Sequence, residues 1–319
     1  MYRYVLKRLL WMIPVLLGVS IIIFTLLYFT PGDPAEALLG SNPSYEEIAA
    51  KHAELGLDDP YIIQLGRFLK QTFLHFDLGN SYIYKTSVMS EFLARLPRTF
   101  IIASVCLVTY IVIGIPLGVI AAVHQNHWQD RFCILLVMIT TAIPSFWFAM
   151  ILMLIFSLKL DLLPSFGIGH WYNYIMPCIA ASLSGIGGIA RQTRSQMLDS
   201  LHSDYIVTAQ SKGVSERSIL YSHALPNALI PVITSLGSHF GHSLAGAVTL
   251  ETVFTFPGVG LYLINGINSR DYPVVRGCVV LIAILFSLVM LIVDLSYAFI
   301  DPRIKAQYKG QHKRRVKHG

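Results

Sequence analysis

Few side chains in this 319-residue sequence could do chemistry, and most of them stand in apolar surroundings. Between positions 228 and 253 lie Ser235, Ser238, His239, His242 and Ser243. Residues 235, 239, 242 and 246 share one helical face, because steps of three or four residues close a turn. Polar and ionisable groups embedded in apolar helices are costly, and they face either a water-filled path or a bundle interior. Ser235, His239, His242 and Gly246 are therefore candidates for lining a translocation pathway. Interhelical hydrogen bonding is the competing reading, with Gly237 and Gly241 at GxxxG spacing to allow close packing. The residues alone leave both open. Two imidazoles without a third ligand make a poor metal centre, so no metal is expected.

Two other chemistries fail on inspection. The run GNSYIYKT at 79–86 imitates a phosphate-binding loop, but Tyr84 replaces the second glycine that lets backbone wrap a phosphate. No HExxH, no Gly-x-Ser-x-Gly and no acidic pair occurs inside the apolar blocks, so no catalytic residue is assigned. Cys106, Cys133, Cys178 and Cys278 form no CxxC pair and read as small buried hydrophobes.

The elements that must position these groups are long apolar helices. The chain is 54% hydrophobic and 13% charged, and its apolar residues fall into blocks long enough to span a bilayer. Six spans are expected, near 9–30, 99–122, 132–158, 174–191, 228–253 and 275–299, with the fourth short and rich in Ser and Gly. The first follows a basic patch, but its apolar core is about twice the length of a leader's h-region, so it reads as a retained helix.

The net charge of +6 reflects orientation rather than affinity for nucleic acid. Arg3, Lys7 and Arg8, then Arg131, then Arg191, Arg194, Lys212 and Arg217, and seven residues of the tail all fall on one side. Only Lys159, Arg270 and Arg276 fall in short loops on the other. Both termini and the segment 204–226 are thus expected in the cytoplasm.

On the opposite side, Ser44 and Glu47 make a capping box and Gly56 closes the helix they begin. Ile62, Leu65, Leu69, Phe73 and Phe76 then recur at helical spacing, as in an amphipathic helix lying on the outer face. The expected organisation is 1–98 as the first helix plus an outer loop, 99–302 as a five-span transport domain, and 303–319 as a basic cytoplasmic tail.

The segment DYIVTAQSKGVSERSILYSHALP at 204–226 is polar, helix-forming and wedged between apolar blocks. Asp204 can cap a helix from Tyr205 to Lys212, which Gly213 ends in the left-handed conformation. A second short helix begins at Ser215 and stops near Leu225 and Pro226. Such a knob is a surface for something in the water to read.

Gly213, nine residues, then His223-Ala224-Leu225-Pro226 resembles the "EAA" loop of binding-protein-dependent ABC importer permeases. The glutamate of that motif falls at Val207, whereas Tyr205, Thr208-Ala209 and Lys212-Gly213 look like the dipeptide, oligopeptide and nickel variant. YVLKRLLWMIPVLLGVSIIIF, TPGDPA (30–35), LGLDDP (55–60), FDLGNS (76–81), LPRT (96–99) and IPLGVIAA (115–122) are similar to the same subfamily. So are IPSFW (143–147), ETVFTFPGVG (251–260), NSRDYPVV (268–275) and DPRI (301–304).

The resemblance implies an all-α, six-helix type I ABC importer transmembrane domain in a bacterial cytoplasmic (inner) membrane, carrying peptides or nickel. It implies a second homologous permease, two ATPase subunits that hold ATP and Mg, and a solute-binding protein, with no cofactor on this chain. Asp204, Tyr205, Thr208, Ala209, Lys212, Gly213, Leu225 and Pro226 are the residues it implies in ATPase coupling. A secondary transporter or channel acting alone is the alternative; broken helices or a buried acidic proton relay would favour it.

Overall fold

The computed structural model describes residues 2–40, 43–246 and 248–300, which leaves the basic tail and the surroundings of Gly246 outside the described residues. Apart from an isolated bridge between Asn80 and Ser87, the regular structure among the described residues is helical. Five helical stretches are long and apolar enough to cross a membrane: Val5–Phe29, Val88–Val123, Trp171–Leu201, Glu216–Val253 and Tyr272–Ser296.

The expected third span is not one helix. It is a pair, α7 (Trp128–Ala142) and α8 (Ser145–Leu152, prolonged by a π-helical turn Met153–Lys159), bent by 93°. Proline disfavours the helical region for the residue before it, and Ile143 accordingly sits at φ −80° and ψ 121° ahead of Pro144. Counting the pair as one span restores the six.

Two compact units divide the chain: residues 1–101 with 244–287, and residues 102–243 with the remainder. In the first, α1 (Tyr2–Phe29) packs against α4 (Tyr61–Leu74). Phe24 and Phe68 stack with centroids 5.7 Å apart, and Thr25 shares a 2.7 Å hydrogen bond with the Tyr61 hydroxyl. The buried stripe of α4 therefore runs through Phe68 and Thr72, flanked by Leu65 and Leu69. Ile62 and Phe76 lie outside the stripe at 72% and 80% exposure, and Phe76 follows the helix end at φ +54°. Helical spacing alone set that stripe one position off.

The short helices α2 (Pro34–Leu39) and α3 (Tyr45–Leu55) precede α4. Helix α3 has the expected capping box, with the Glu47 amide donating to Ser44 and the Glu47 carboxylate accepting from the Ser44 amide. Gly56 ends α3 at φ +65°. Ser44 holds the Glu47 carboxyl below its ordinary range.

A buried carboxylate organises another part of this unit. Glu251, fully buried on α13 (Val248–Val253), accepts from Thr99 Oγ1 at 2.6 Å and from the Leu261 amide at 3.0 Å. Thr99 Oγ1 in turn accepts from the Val259 amide. The first amides of α14 (Val259–Asn268) are thus satisfied by a distant side chain rather than by their own cap, Gly258, and a Cβ at Gly258 would collide with the carboxylate.

The second unit is built on α9 (Ile175–Leu201), which runs ten residues beyond the expected end of the fourth span. Arg191 and Arg194 are helical, not in a loop. Arg194 grips Asp130 of α7 through Nε and a terminal nitrogen at 2.6 and 2.8 Å, and the Asn126 amide donates to the same carboxylate. Asp130 is only 2% exposed, so this bidentate pair is what keeps polar residues inside the helix end. Helix α5 (Val88–Thr109) continues through a π turn (Tyr110–Gly114) into α6 (Ile115–Val123). The extra residue of that turn precedes Pro116, whose ring cannot sit against the carbonyl four residues back. Helix α6 then lies so close to α9 that a Cβ at Gly118 would approach the Ala190 carbonyl to 2.5 Å.

Candidate functional site

The 204–226 knob is assembled from the ends of three helices. After α9, Ser203 adopts the extended N-cap conformation, and α10 (Asp204–Ser211) begins. The cap is therefore Ser203, one residue before the expected Asp204, which instead lies exposed in the first turn where its charge suits the helix dipole. The Asp204 carbonyl accepts from Thr208 Oγ1 at 3.0 Å.

At the far end, Gly213 takes φ +75° as expected. Its amide donates to the Gln210 carbonyl at 2.9 Å, and the Val214 amide to Ala209 at 3.2 Å. These are the two hydrogen bonds of a Schellman cap, accompanied by its usual apolar contact, since Ala209 and Val214 pack on the same cluster. Lys212 is the exposed C-cap.

The second helix does not stop at Leu225 and Pro226. A short α11 (Glu216–Ser218) passes through a π turn (Ile219–Ala224) directly into α12 (Leu225–Gly246). Pro226 stands in the first turn of α12, and the turn before it absorbs the missing backbone donor by shifting the ladder to i−5, as in Leu225 donating to Leu220. The knob is thus one free helix, α10, lashed to the root of a long one.

Ile206 is the anchor. At 1% exposure it sits in a cluster with Met197, Ile219, Ala224, Ala228 and Ala122, and Leu225 packs against it. Tyr205 adds a polar tie: its hydroxyl meets Ser200 Oγ at 2.5 Å and accepts from the Asn227 amide group at 3.3 Å, while Ser200 Oγ donates to the Ala224 carbonyl at 3.0 Å. Ile206, Ser200 and Asn227 were missed in the sequence, although an apolar residue two places into α10 was a visible signal. Facing away from the anchor are Val207, Tyr221, Thr208 and Pro226, all exposed.

The α12 face is divided. Ser235 Oγ donates to the Pro231 carbonyl at 3.2 Å, so its own helix satisfies it. His239 is half-buried, its ring T-shaped against Tyr110 at 5.7 Å and close to Gly188. His242 is exposed, and Ser243 Oγ donates to the His239 carbonyl. Gly246 ends the helix. Packing also uses this region: a Cβ at Gly237 would collide with Val293 of α15 (Tyr272–Ile300). Among the described residues no group of three His, Cys, Asp or Glu side chains could hold a metal ion.

The phosphate-loop lookalike does wrap an anion, but an internal one. Asp271, 1% exposed, accepts from Ser81 Oγ at 2.5 Å, from the Tyr82 amide at 3.0 Å and from the Ile83 amide at 3.4 Å. The loop is a carboxylate nest that ties residues 81–83 to the start of α15. All four cysteines are buried and free.

Comparison with known proteins places these features. Residues 114–306 match the family described as binding-protein-dependent transport system inner membrane component, and residues 1–103 match its N-terminal counterpart. The glutathione transport system permease protein GsiC of Salmonella paratyphi A is 38% identical over 305 residues, covering 96% of this chain and 99% of that protein. The dipeptide transport system permease protein DppB of Alkalihalophilus pseudofirmus is 37% identical over 333 residues, covering 96% and 100%. In fold, the chain resembles a chain of the inward-facing MetNI methionine ABC transporter, with a TM-score of 0.58 at 18% identity, covering 67% of this chain and 97% of that one.

Proposed function

The chain belongs to the binding-protein-dependent transport system inner membrane component family, as a multi-pass permease subunit of an ABC importer and not an enzyme, and from that premise we propose how it is driven and what it carries. Helix α10 docks on a cytoplasmic ATPase subunit, and the chain pairs with a second permease, a second ATPase and a solute-binding protein that delivers cargo from outside. The observation that carries this reading is the mounting of α10. One buried side chain, Ile206, and one Schellman cap fix it to the roots of α9 and α12, so a push on its exposed face reaches both helices at once. An element held in this way transmits a two-state movement rather than bending under it.

ATP and Mg belong to the ATPase partners. Closure of the ATPase pair moves α10, the spans open outward, cargo enters from the solute-binding protein, and hydrolysis resets the inward state. The bias of Arg and Lys supports termini and α10 on the cytoplasmic side. Val207 stands where a docking glutamate would be, so the contact is apolar, made by Val207 and Tyr221 with Thr208 beside them.

Peptides are the proposed cargo, as the names of the two relatives suggest. Nickel has less support, because His239 and His242 have no third ligand in reach among the described residues. Half-buried His239 and Ser235 with exposed His242 make the proposed pathway face.

The test is cross-linking. With cysteine placed at Val207, a short bifunctional reagent should trap this chain on the ATPase subunit in the assembled transporter. Vesicles holding this chain alone should accumulate no peptide. Uptake by the chain alone, or a Val207→Cys complex that never cross-links while transporting normally, would overturn the coupling.

A further inference from the structure

Within the first unit lies a cavity of about 800 Å³, in the size range of small-molecule sites. Besides side chains of α1, α3 and α4, its wall draws on four stretches far apart in sequence. They are the turn Gly32–Pro34, the end of α3 with Gly56, Leu57 and Asp59, residues 77–80, and Tyr272, Pro273 and Arg276 of α15. These are the TPGDPA, LGLDDP, FDLGNS and NSRDYPVV segments, to which neither docking nor the pathway face gives a task.

The charges facing this cavity are mostly matched in pairs. His52 Nε2 meets Asp33 at 2.6 Å, Arg67 pairs with Asp59, and Lys51 holds Glu54 at 2.7 Å. Two are not. The Arg276 guanidinium lies 4.9 Å from the Phe68 ring centre and 5.5 Å from that of Phe24, its Nε donates to the Tyr272 carbonyl at 3.3 Å, and its side chain hydrogen-bonds the neutral Tyr82 hydroxyl. Among the described residues no carboxylate comes within ion-pairing distance of it, and Asp271 nearby is engaged by Ser81 and the loop amides. Asp77 is exposed, with one oxygen accepting from the Gly79 amide at 2.8 Å and no basic partner among the described residues.

A guanidinium set against two rings gains cation–π energy, but it keeps several donors that a planar carboxylate would fill. Leaving such a charge unpaired near apolar surface is costly, which marks it as a site awaiting a counter-charge. One unmatched cation and one unmatched anion on the same cavity match a ligand carrying both signs.

We propose that this cavity recognises a small zwitterion of the amino-acid or short-peptide class, its carboxylate on Arg276 and its ammonium on Asp77. The choice of peptide over other zwitterions rests on the proposed cargo. The charge pattern does not. The site is separate in composition from the Ser235–His242 face, so it serves capture or retention of cargo and not the passage itself.

The complete transporter in nanodiscs, without its solute-binding protein, is titrated with radiolabelled trialanine, trialanine amide and N-acetyl-trialanine. Trialanine should bind, and each blocked peptide at least about tenfold more weakly. Asp77→Asn, an exposed change that spares the fold, should bind trialanine and its N-acetyl form alike while still rejecting the amide. Arg276→Met should abolish discrimination against the amide. Equal binding of all three peptides to the unmodified transporter, no binding near 1 mM, or unaltered discrimination in Asp77→Asn would overturn the proposal. Displacement of trialanine by added phosphatidylethanolamine would also overturn it, assigning the cavity to a lipid headgroup. ATP-driven peptide uptake is measured in parallel. Uptake that persists when trialanine fails to bind the cavity refutes this site and leaves the import reading standing, whereas absent uptake with intact binding refutes import alone.

Discussion

Gly213 is where backbone conformation alone can be separated from bulk. Its φ of +75° is left-handed, yet a Cβ built there meets nothing within 4 Å. Any substitution is therefore charged for backbone strain, about 1–2 kcal/mol for an ordinary L-residue, and not for a clash. The chain can escape the strain by abandoning the left-handed turn. It then loses two hydrogen bonds, Gly213 to Gln210 and Val214 to Ala209, each contributing about 1 kcal/mol net. The two routes cost about the same, so Gly213→Ala should leave α10 split between a strained docked state and a frayed one. A shift near 1.4 kcal/mol is tenfold in that equilibrium. Asn tolerates this conformation better, so Gly213→Asn should retain most of the cap. Gly213→Leu should behave like Gly213→Ala, because the added atoms find open space. Transport per ATP hydrolysed, measured in proteoliposomes of the complete complex, should rank glycine above Asn and Asn above Ala and Leu together. Leu falling far below Ala would show that bulk matters and that a surface is pressed against Gly213. Equal coupling in all four would refute a role for this cap.

Other perturbations reach different links. Ile206→Ala empties the anchor and should cost about 2–5 kcal/mol locally, read as faster hydrogen exchange across α10 while α9 stays protected. Asp130→Ala strands Arg194, which keeps a quarter of its surface in solvent, so a loss of about 3 kcal/mol is expected in thermal unfolding. Asp130→Ala with Arg194→Met should recover much of it, and no recovery would deny that the pair is the cause. Hydrogen bonding to Asp33 raises the His52 pKa above its ordinary 6.5, against some desolvation. The stabilisation is therefore complete below 6.5 and fades as pH rises through the raised value. Limited proteolysis between α3 and α4 should quicken over that window, and His52→Gln should flatten the dependence.

What the sequence could carry by itself was whatever depends on near neighbours. Apolar blocks mark helices because burial or lipid is their only favourable environment. The Ser44–Glu47 box and the left-handed Gly56 and Gly213 follow from groups three to five residues apart. So does the 204–226 segment, polar between apolar runs. What required the folded chain was every feature decided by a distant partner or by the geometry of a break. Nothing near Glu251 or Asp271 in the sequence shows what they bind. They are spent on Thr99 and Ser81, 152 and 190 residues away, where buried carboxylates must find donors. Pro144 and Pro226 look alike as helix breakers, yet the first bends its helix by 93° while the second is absorbed by a π turn. A proline removes one donor at a known place; the packing around it decides whether the helix turns aside or takes in an extra residue.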